Sequence, residues 1–472
     1  MRRCLQTFWQ QSSKLAIVGE YGSLSYGELA RRATDVASAL STLGLREGDR
    51  FVGSLPNNSD FVVCYFAALF GGFTIVPISK SLPPEDVSYI SQIVVPKARI
   101  SRLDDLPMGM TPLMPVPATA PDSASVIFFT SGTTSRPKGV CHRLSNLVEN
   151  ARRFNELTCI NADVRMMHVM PMGYMAGFLN TILGPLVAGG TVVLAPTFDA
   201  ATALAFWKPA RDHGVNSLWI TPTIAAFLTR LNRSVDVRRW TSNNLAHVFV
   251  GTASLPQSVA EAFDSTFRVE CLESYGMTEL MLVSSNSPRY PRKTGSVGRL
   301  IDGVKVEARD SNGRTLPCTS EGPLFVQSDF ALDGYLDPDS GIADSPLVDD
   351  WMETGDIGQI DENGYLRITG RVKDLIIHGG TNVSPKAVEE LLASHVDVRE
   401  AGVVGAPHPF WGEEVVAFVV PVSGVTLDTE ALAIWCQSRM VHDATPTRFE
   451  VCDGLPRSSM GKIQRRLLRE RL

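Results

Sequence analysis

Residues 61–78, FVVCYFAALFGGFTIVPI, run without a charged side chain. Any fold for this chain must bury that segment or place it in a bilayer. A spanning helix needs about 20 consecutive apolar residues. Here Gly71 and Gly72 split the run, Asn57 to Asp60 supply helix-start residues before it, and Pro77 follows a β-branched stretch. The segment therefore reads as a buried helix, a Gly-Gly turn and a core strand. No membrane span is expected. The N-terminal MRRCLQTFWQQSSK also lacks the apolar stretch of a secretory signal, so a cytoplasmic location is expected.

With 472 residues, 44% apolar and 20% charged, the chain is long enough for two or more domains around such cores. Ser25 and Glu28 predict a capping box, and Leu29, Ala33, Val36, Leu40 and Leu43 keep helical spacing until Gly44. Short apolar runs at Val126 to Phe129, Thr191 to Leu194 and Val248 to Val250 alternate with helical stretches. This is the pattern of an α/β domain with mixed or parallel sheets and packed helices. Later, Ile357 to Ile360 and Tyr365 to Ile368 flank Asp361-Glu362-Asn363-Gly364, a hairpin turn, and polar Gly370 to Asp374 follows. A domain boundary is expected there, giving a large unit over residues 1–372 and a small, mobile α+β unit over 373–472. The small unit should open on a helix at Ser384-Pro385. Strands near 400–405, 414–422 and 447–452, a helix near 428–439 and a basic terminal helix complete it.

The net charge of −6 arises from interspersed acids and bases, which argues against nucleic acid as a partner. Eight cysteines are scattered without a CxxC pair, so reduced and mostly buried thiols are expected, not a zinc site or a disulfide framework.

The chemistry concentrates in Val126 to Val140, VIFFTSGTTSRPKGV. An apolar strand runs into two glycines, hydroxyls at Thr130, Ser131, Thr133, Thr134 and Ser135, and then Lys138. Phosphate oxygens want many N–H and O–H donors, close backbone approach through residues such as Gly132, and a cation. The GxxxxGK[ST] spacing is absent, which disfavours a Walker-type nucleotidase. Composition alone leaves a polar surface loop as the alternative.

TSGTTSRPKG resembles the signature of the adenylate-forming superfamily, which includes acyl-CoA synthetases, peptide-synthetase adenylation domains and beetle luciferases. Further segments match in order. Tyr275-Gly276-Met277-Thr278-Glu279 resembles its Tyr-Gly-x-Thr-Glu motif, and Trp351 with Thr354-Gly355-Asp356 resembles its Thr-Gly-Asp motif. Gly370-Arg371 and Gly379 to Pro385 resemble its hinge and following loop. Leu455-Pro456, Gly461-Lys462-Ile463 and Arg465 resemble its C-terminal lysine motif.

The resemblance implies ATP-dependent formation of an acyl-AMP from a small carboxylic acid, followed by acyl transfer. Joining two anions requires charge neutralisation and in-line alignment. Thr130, Ser131, Gly132, Thr133, Thr134 and Lys138 would hold the β- and γ-phosphates. Glu279, with Thr130, would serve Mg²⁺, and Thr278 would touch the α-phosphate. Asp356, assisted by Arg371, would accept the ribose hydroxyls, while Gly251, Thr252, Ala253, Ser274 and Tyr275 would line the adenine. Lys462 would act on the acyl carboxylate and α-phosphate. Lys373 stands at the family's hinge position, and Gly379 and Gly380 lie where a pantetheine arm would pass.

Departures from the family pattern bear on the acid. Amino-acid-activating members place Asp after an aromatic residue, to pair with the substrate's ammonium. Here Met175 follows Tyr174, so an α-amino acid would bury a cation without a partner. Many acyl- and aryl-CoA ligases have His where Tyr174 stands. Met170, Tyr174, Ser274 and Gly276 suggest a mainly apolar acyl pocket, with ordinary core filling as the alternative for the methionines. The sequence ends without a carrier-protein domain, so a stand-alone ligase is expected. CoA is the expected acceptor, by family frequency. A carrier-protein phosphopantetheine and an amino acid amine, as in coronafacate-ligase-like amide synthetases, are the alternatives. Outside the ligase class stand a luciferase-like oxygenase and a non-catalytic nucleotide binder.

Overall fold

The computed structural model describes residues 12–20, 22–80, 82–107, 109, 122–130, 137–232, 234–337, 339, 343–440, 442–457 and 463–472. The uncharged run folds as the sequence predicts. Helix Ser59–Gly71 starts on Asn58, whose side chain accepts from the Asp60 amide, and ends on Gly72 at φ 69°. Strand Thr74–Pro77 follows, buried throughout. Every residue from Phe61 to Gly71 is buried, so the helix is a central core element. The helix Tyr26–Thr42 that packs beside it carries the Ser25–Glu28 capping box. Its Leu29, Ala33, Val36 and Leu40 are fully buried, but Leu43 is the C-cap and 53% exposed, because the chain leaves the helix there before Gly44.

Four sheets organise the chain. The largest has nine strands in the order Arg299–Leu300, Met281–Ser285, Cys271–Met277, His247–Val250, Ser217–Ile220, Arg165–His168, Thr191–Leu194, Leu15–Gly19 and Leu24–Ser25. Its interior from Cys271–Met277 to Leu15–Gly19 is parallel, and antiparallel pairs close both edges. A seven-stranded sheet runs Ala343–Asp344, Gly334–Leu336, Lys138–Arg143, Ser125–Thr130, Thr74–Pro77, Arg50–Gly53 and Ala98–Ile100. A four-stranded antiparallel sheet, Val304–Ala308, Gly322–Ser328, Trp351–Ile360 and Leu366–Arg371, contains the predicted hairpin. Strands alternating with helices over the first two sheets account for their parallel pairing, since each crossover helix covers a sheet face.

After the 3₁₀ turn Val372–Asp374 comes a separate five-stranded sheet. It is built on the long hairpin Val398–His408 and Gly412–Pro421, with helices Pro385–Ala393, Thr429–Gln437 and Arg465–Arg469. Its apolar cores begin at Ile376 and Val404, whereas the largest core of the chain ends at Leu366. Ser384 Oγ donates to the Thr369 carbonyl at 2.9 Å and Lys386 Nζ to that of Ile368 at 2.5 Å, tying the first helix of this unit to the preceding hairpin.

The described cysteines are free thiols. Cys64, Cys271 and Cys436 are buried, Cys141, Cys159 and Cys452 are half-buried, and Cys318 is exposed. Burial is thus less general than expected: Cys159 caps a helix, Cys318 lies in a turn and Cys452 just follows an outer strand. Among the described residues no helix is long and apolar enough to cross a membrane.

Candidate active site

In an open parallel sheet, ligands bind beyond the carboxyl ends of the strands. At that edge of the nine-stranded sheet, strand Cys271–Met277 runs into Thr278 and Glu279, and His247–Val250 runs into Gly251, Thr252 and Ala253. Gly251 and Ser274 touch: a Cβ on Gly251 would stand 2.9 Å from Ser274 Oγ. Thr252 adopts φ 70°, a left-handed conformation costly for a β-branched residue, and its buried Oγ1 has no protein partner. A strained residue offering an unused hydroxyl beside a glycine suits the edge of a flat heterocycle. Gly276 is required by packing, since a Cβ there would meet the Met281 carbonyl oxygen at 2.2 Å.

Asp356 sits on strand Trp351–Ile360 directly opposite Arg371 in register. Arg371 Nε donates to Asp356 Oδ1 at 2.8 Å, and Tyr275 Oη donates to Oδ2 at 2.6 Å. Burial, and then the Asp356 carboxylate, push the Tyr275 phenol well above its ordinary range, so it remains a donor. Each Asp356 oxygen keeps a second lone pair for an incoming hydroxyl. The expected ribose residues are therefore together, joined by a tyrosine expected to line the base.

Thr130 and Lys138 face each other as the last pair before the connection in the hairpin Ser125–Thr130 and Lys138–Arg143. Ser131, Gly132, Thr133 and Thr134, which follow Thr130 in the sequence, lie outside the described residues. Strand Gly334–Leu336 pairs with this hairpin, Tyr335 opposite Val140. Tyr335 Oη donates to Glu279 Oε1 at 2.9 Å, and Lys138 Nζ stands 5.0 Å from the centre of the Tyr335 ring. A second link comes from His142, which is fully buried, with Nε2 2.7 Å from the Thr278 carbonyl oxygen. Burial holds its pKa down at about 4, so the ring is neutral and Nε2–H donates. Tyr335 and His142 were invisible to sequence reasoning, because nothing local marks them and both act through strand pairings made only in the fold. Among the described residues no group of three or more His, Cys, Asp or Glu could cage a metal. One carboxylate fits Mg²⁺ that completes its octahedron with phosphates and water.

Met170, 2% exposed, and half-buried Tyr174 follow strand Arg165–His168, and Tyr174 caps the short helix Met175–Phe178. A buried polar network also missed by the sequence reading holds this segment. Asn57 Nδ2 donates to the Met170 carbonyl at 3.0 Å, and Asn57 Oδ1 accepts from the Met172 amide at 2.8 Å. The same Nδ2 lies 3.0 Å from Nε2 of buried His168, whose Nδ1 lies 2.6 Å from Thr181 Oγ1. Burial alone lowers the His168 pKa to about 3. A neutral ring that accepts at Nε2 and donates at Nδ1 satisfies every contact.

In the C-terminal unit, Lys373 lies in the turn Val372–Asp374. Gly379 and Gly380 form the two-residue turn between Ile376–His378 and Thr381–Val383, at φ 56° and 88°. Arg465 Nη2 donates to both carboxylate oxygens of Glu389, each at 2.8 Å, and Nη1 reaches Asp374 at 3.4 Å. Lys462 lies outside the described residues; Arg457 and Ile463, the described residues on either side of it, form an antiparallel bridge.

The core clusters on either side of the turn Val372–Asp374 and the polar side chains gathered at the strand ends define an α/β fold with a candidate nucleotide site. Known sequences make the class specific: the AMP-binding enzyme family matches residues 6–109 and 103–336, and the AMP-binding enzyme C-terminal domain matches 387–462. The chain belongs to this family and is an AMP-forming acid–thiol ligase that uses ATP. It is 30% identical over 474 residues to sulfoacetate–CoA ligase of Cupriavidus necator, covering 94% of this chain and 91% of that protein. Oxalate–CoA ligase of Arabidopsis thaliana is 28% identical over 493 residues, covering 96% and 94%. The crystal structure of ATP-bound MatB from Rhodopseudomonas palustris superposes with a TM-score of 0.87 at 27% identity, over 100% of this chain and 98% of that one.

Proposed function

We propose that the chain adenylates a small carboxylic acid without an α-ammonium group and transfers the acyl group to the thiol of CoA. The observation that carries this reading is the meeting of two clusters on one strand. Cys271–Met277 delivers Tyr275 to the Asp356–Arg371 pair and, just past its end, Glu279 to Tyr335 beside Lys138. The first cluster suits ribose hydroxyls and the second a magnesium-bound polyphosphate, so a nucleotide laid between them spans the strand end. Met175, in place of an acidic residue after Tyr174, supports an acid lacking an α-ammonium group. The named activities of the relatives, ligation of sulfoacetate and of oxalate to CoA, support CoA as the acceptor.

In this reading Asp356 and Arg371 fix the ribose, Thr252 and Ser274 bound the base, and Thr130 and Lys138 hold the departing pyrophosphate with the hydroxyls of Ser131, Thr133 and Thr134. Bound Mg²⁺ supplies neutralisation of the phosphate charge, and Glu279 is the protein carboxylate that would hold it. Lys462 neutralises the charge that builds as the carboxylate attacks the α-phosphorus. Residues 1–372 and 373–472 act as two domains. Lys373 is the pivot, and the Gly379–Gly380 turn borders the pantetheine path.

The test separates the half-reactions. Lys462→Ala is expected to abolish acid-dependent ATP–pyrophosphate exchange while still converting supplied acyl-AMP and CoA to thioester. Equal loss of both would refute the role given to Lys462, and no exchange by the unaltered enzyme over aliphatic, aromatic and alicyclic acids would refute the function.

A further inference from the structure

One aromatic side chain stands between the two charged groups of the phosphate site. Tyr335 belongs to the three-residue strand Gly334–Leu336, second from one edge of the seven-stranded sheet. The surrounding segment is stitched to both neighbours. The Leu332 amide donates to the Glu279 carbonyl at 2.8 Å, the Asp333 amide to the Cys141 carbonyl at 2.9 Å, and the Asp333 carboxylate pairs with Arg143 at 3.0 Å. Tyr335 is thereby held by backbone bonds to the Thr278–Glu279 turn on one side and to the Lys138 hairpin on the other. Its hydroxyl and its ring do different things. The hydroxyl donates to Glu279 Oε1 at 2.9 Å, and the ring lies 5.0 Å from Lys138 Nζ.

We propose that Tyr335 is a positioning residue for both charged groups: its hydroxyl aims the Glu279 carboxylate, and its ring carries the Lys138 ammonium. A carboxylate whose one oxygen is held by a phenol presents the other in a fixed direction, and such outer partners commonly tune metal affinity. An ammonium over an aromatic ring is attracted without being neutralised, so it stays available to phosphate. The inference rests on the roles given above to Glu279 and Lys138.

The experiment is calorimetric binding of ATP to the full chain, with Mg²⁺ and with chelator, and needs no turnover. Tyr335→Phe keeps the ring and loses the hydroxyl. It should cut the affinity gained from Mg²⁺ by about tenfold, leave binding in chelator unchanged, and leave the unfolding midpoint near that of the unaltered protein. Tyr335→Leu should also weaken ATP binding in chelator, while AMP, which lacks the outer phosphates, binds as before. In a Glu279→Gln background, Tyr335→Phe should change nothing further in the magnesium gain. A full magnesium gain in Tyr335→Phe, whether or not its midpoint falls, overturns the proposal, as does an equal loss in the Glu279→Gln background. If Glu279→Gln itself keeps the gain, the role of Glu279 fails first and this inference falls with it.

Discussion

Two buried histidines show how this chain uses neutral imidazole as a structural connector. His142 joins the phosphate hairpin to Thr278, and His168 joins Asn57 to Thr181 beneath the Met170–Tyr174 segment. From an ordinary value of 6.5, burial lowers them to about 4 and about 3. The unfolded chain therefore takes up protons below pH 6.5 that the folded chain refuses. The contribution of the two histidines to stability is full above that pH and falls as pH drops from 6.5 toward 4, by about 1.4 kcal/mol per unit for each histidine. Urea unfolding between pH 7 and 5 should show the His142 share as a difference: His142→Leu lowers stability at pH 7 but loses about 1.4 kcal/mol per unit less than the unaltered protein as pH falls below 6.5. A slope unchanged by the substitution would show that His142 titrates normally. Neither histidine was legible as a connector in the sequence. His142 bonds a carbonyl 136 residues away and His168 an asparagine 111 away, and no periodicity carries such a pairing.

At the scale of elements, the sequence was most legible where side-chain period and local chemistry agreed. The Ser25–Glu28 box, the uncharged helix and its Gly72 stop, and the hairpin around Asp361 to Gly364 rest on contacts within a few residues, and all form as read. The grouping of the elements was not legible in this way. That Gly334–Leu336 pairs with the phosphate hairpin, or that Asp356 faces Arg371, depends on strand order and register, for which one sequence has no signal. The hairpin Cys271–Met277 and Met281–Ser285 is where packing and site are least separable. Its Gly276 has the Met281 carbonyl where a Cβ would stand. Gly276→Ala should cost about 1–3 kcal/mol in chemical unfolding and should also displace Thr278 and Glu279, so that ATP no longer protects the protein thermally. Retained protection in a destabilised variant would separate the hairpin from the site.

For the whole molecule, the question is how an adenylating arrangement gives way to a thioester-forming one. The turn Val372–Asp374 is the short connection between the two sets of cores. Proline at position 373 would fix one backbone angle in that turn. Lys373→Pro should therefore leave acid-dependent pyrophosphate exchange near its normal rate and suppress thioester formation from supplied acyl-AMP and CoA. Thioester synthesis at the normal rate would remove the turn from the mechanism. The strand Leu366–Arg371 carries a further consequence. Its final residue grips Asp356, the very next residue begins the turn, and Ser384 and Lys386 of the following unit bond back to the carbonyls of Thr369 and Ile368. In the proposed cycle the strand is a shared axle: its last rung belongs to the proposed nucleotide site, and its flank is the berth of the unit proposed to move. The proposed swing of that unit would break two bonds on the strand that carries the proposed ribose residue Arg371, so nucleotide hold and domain orientation should change together, and selection on either constrains the other.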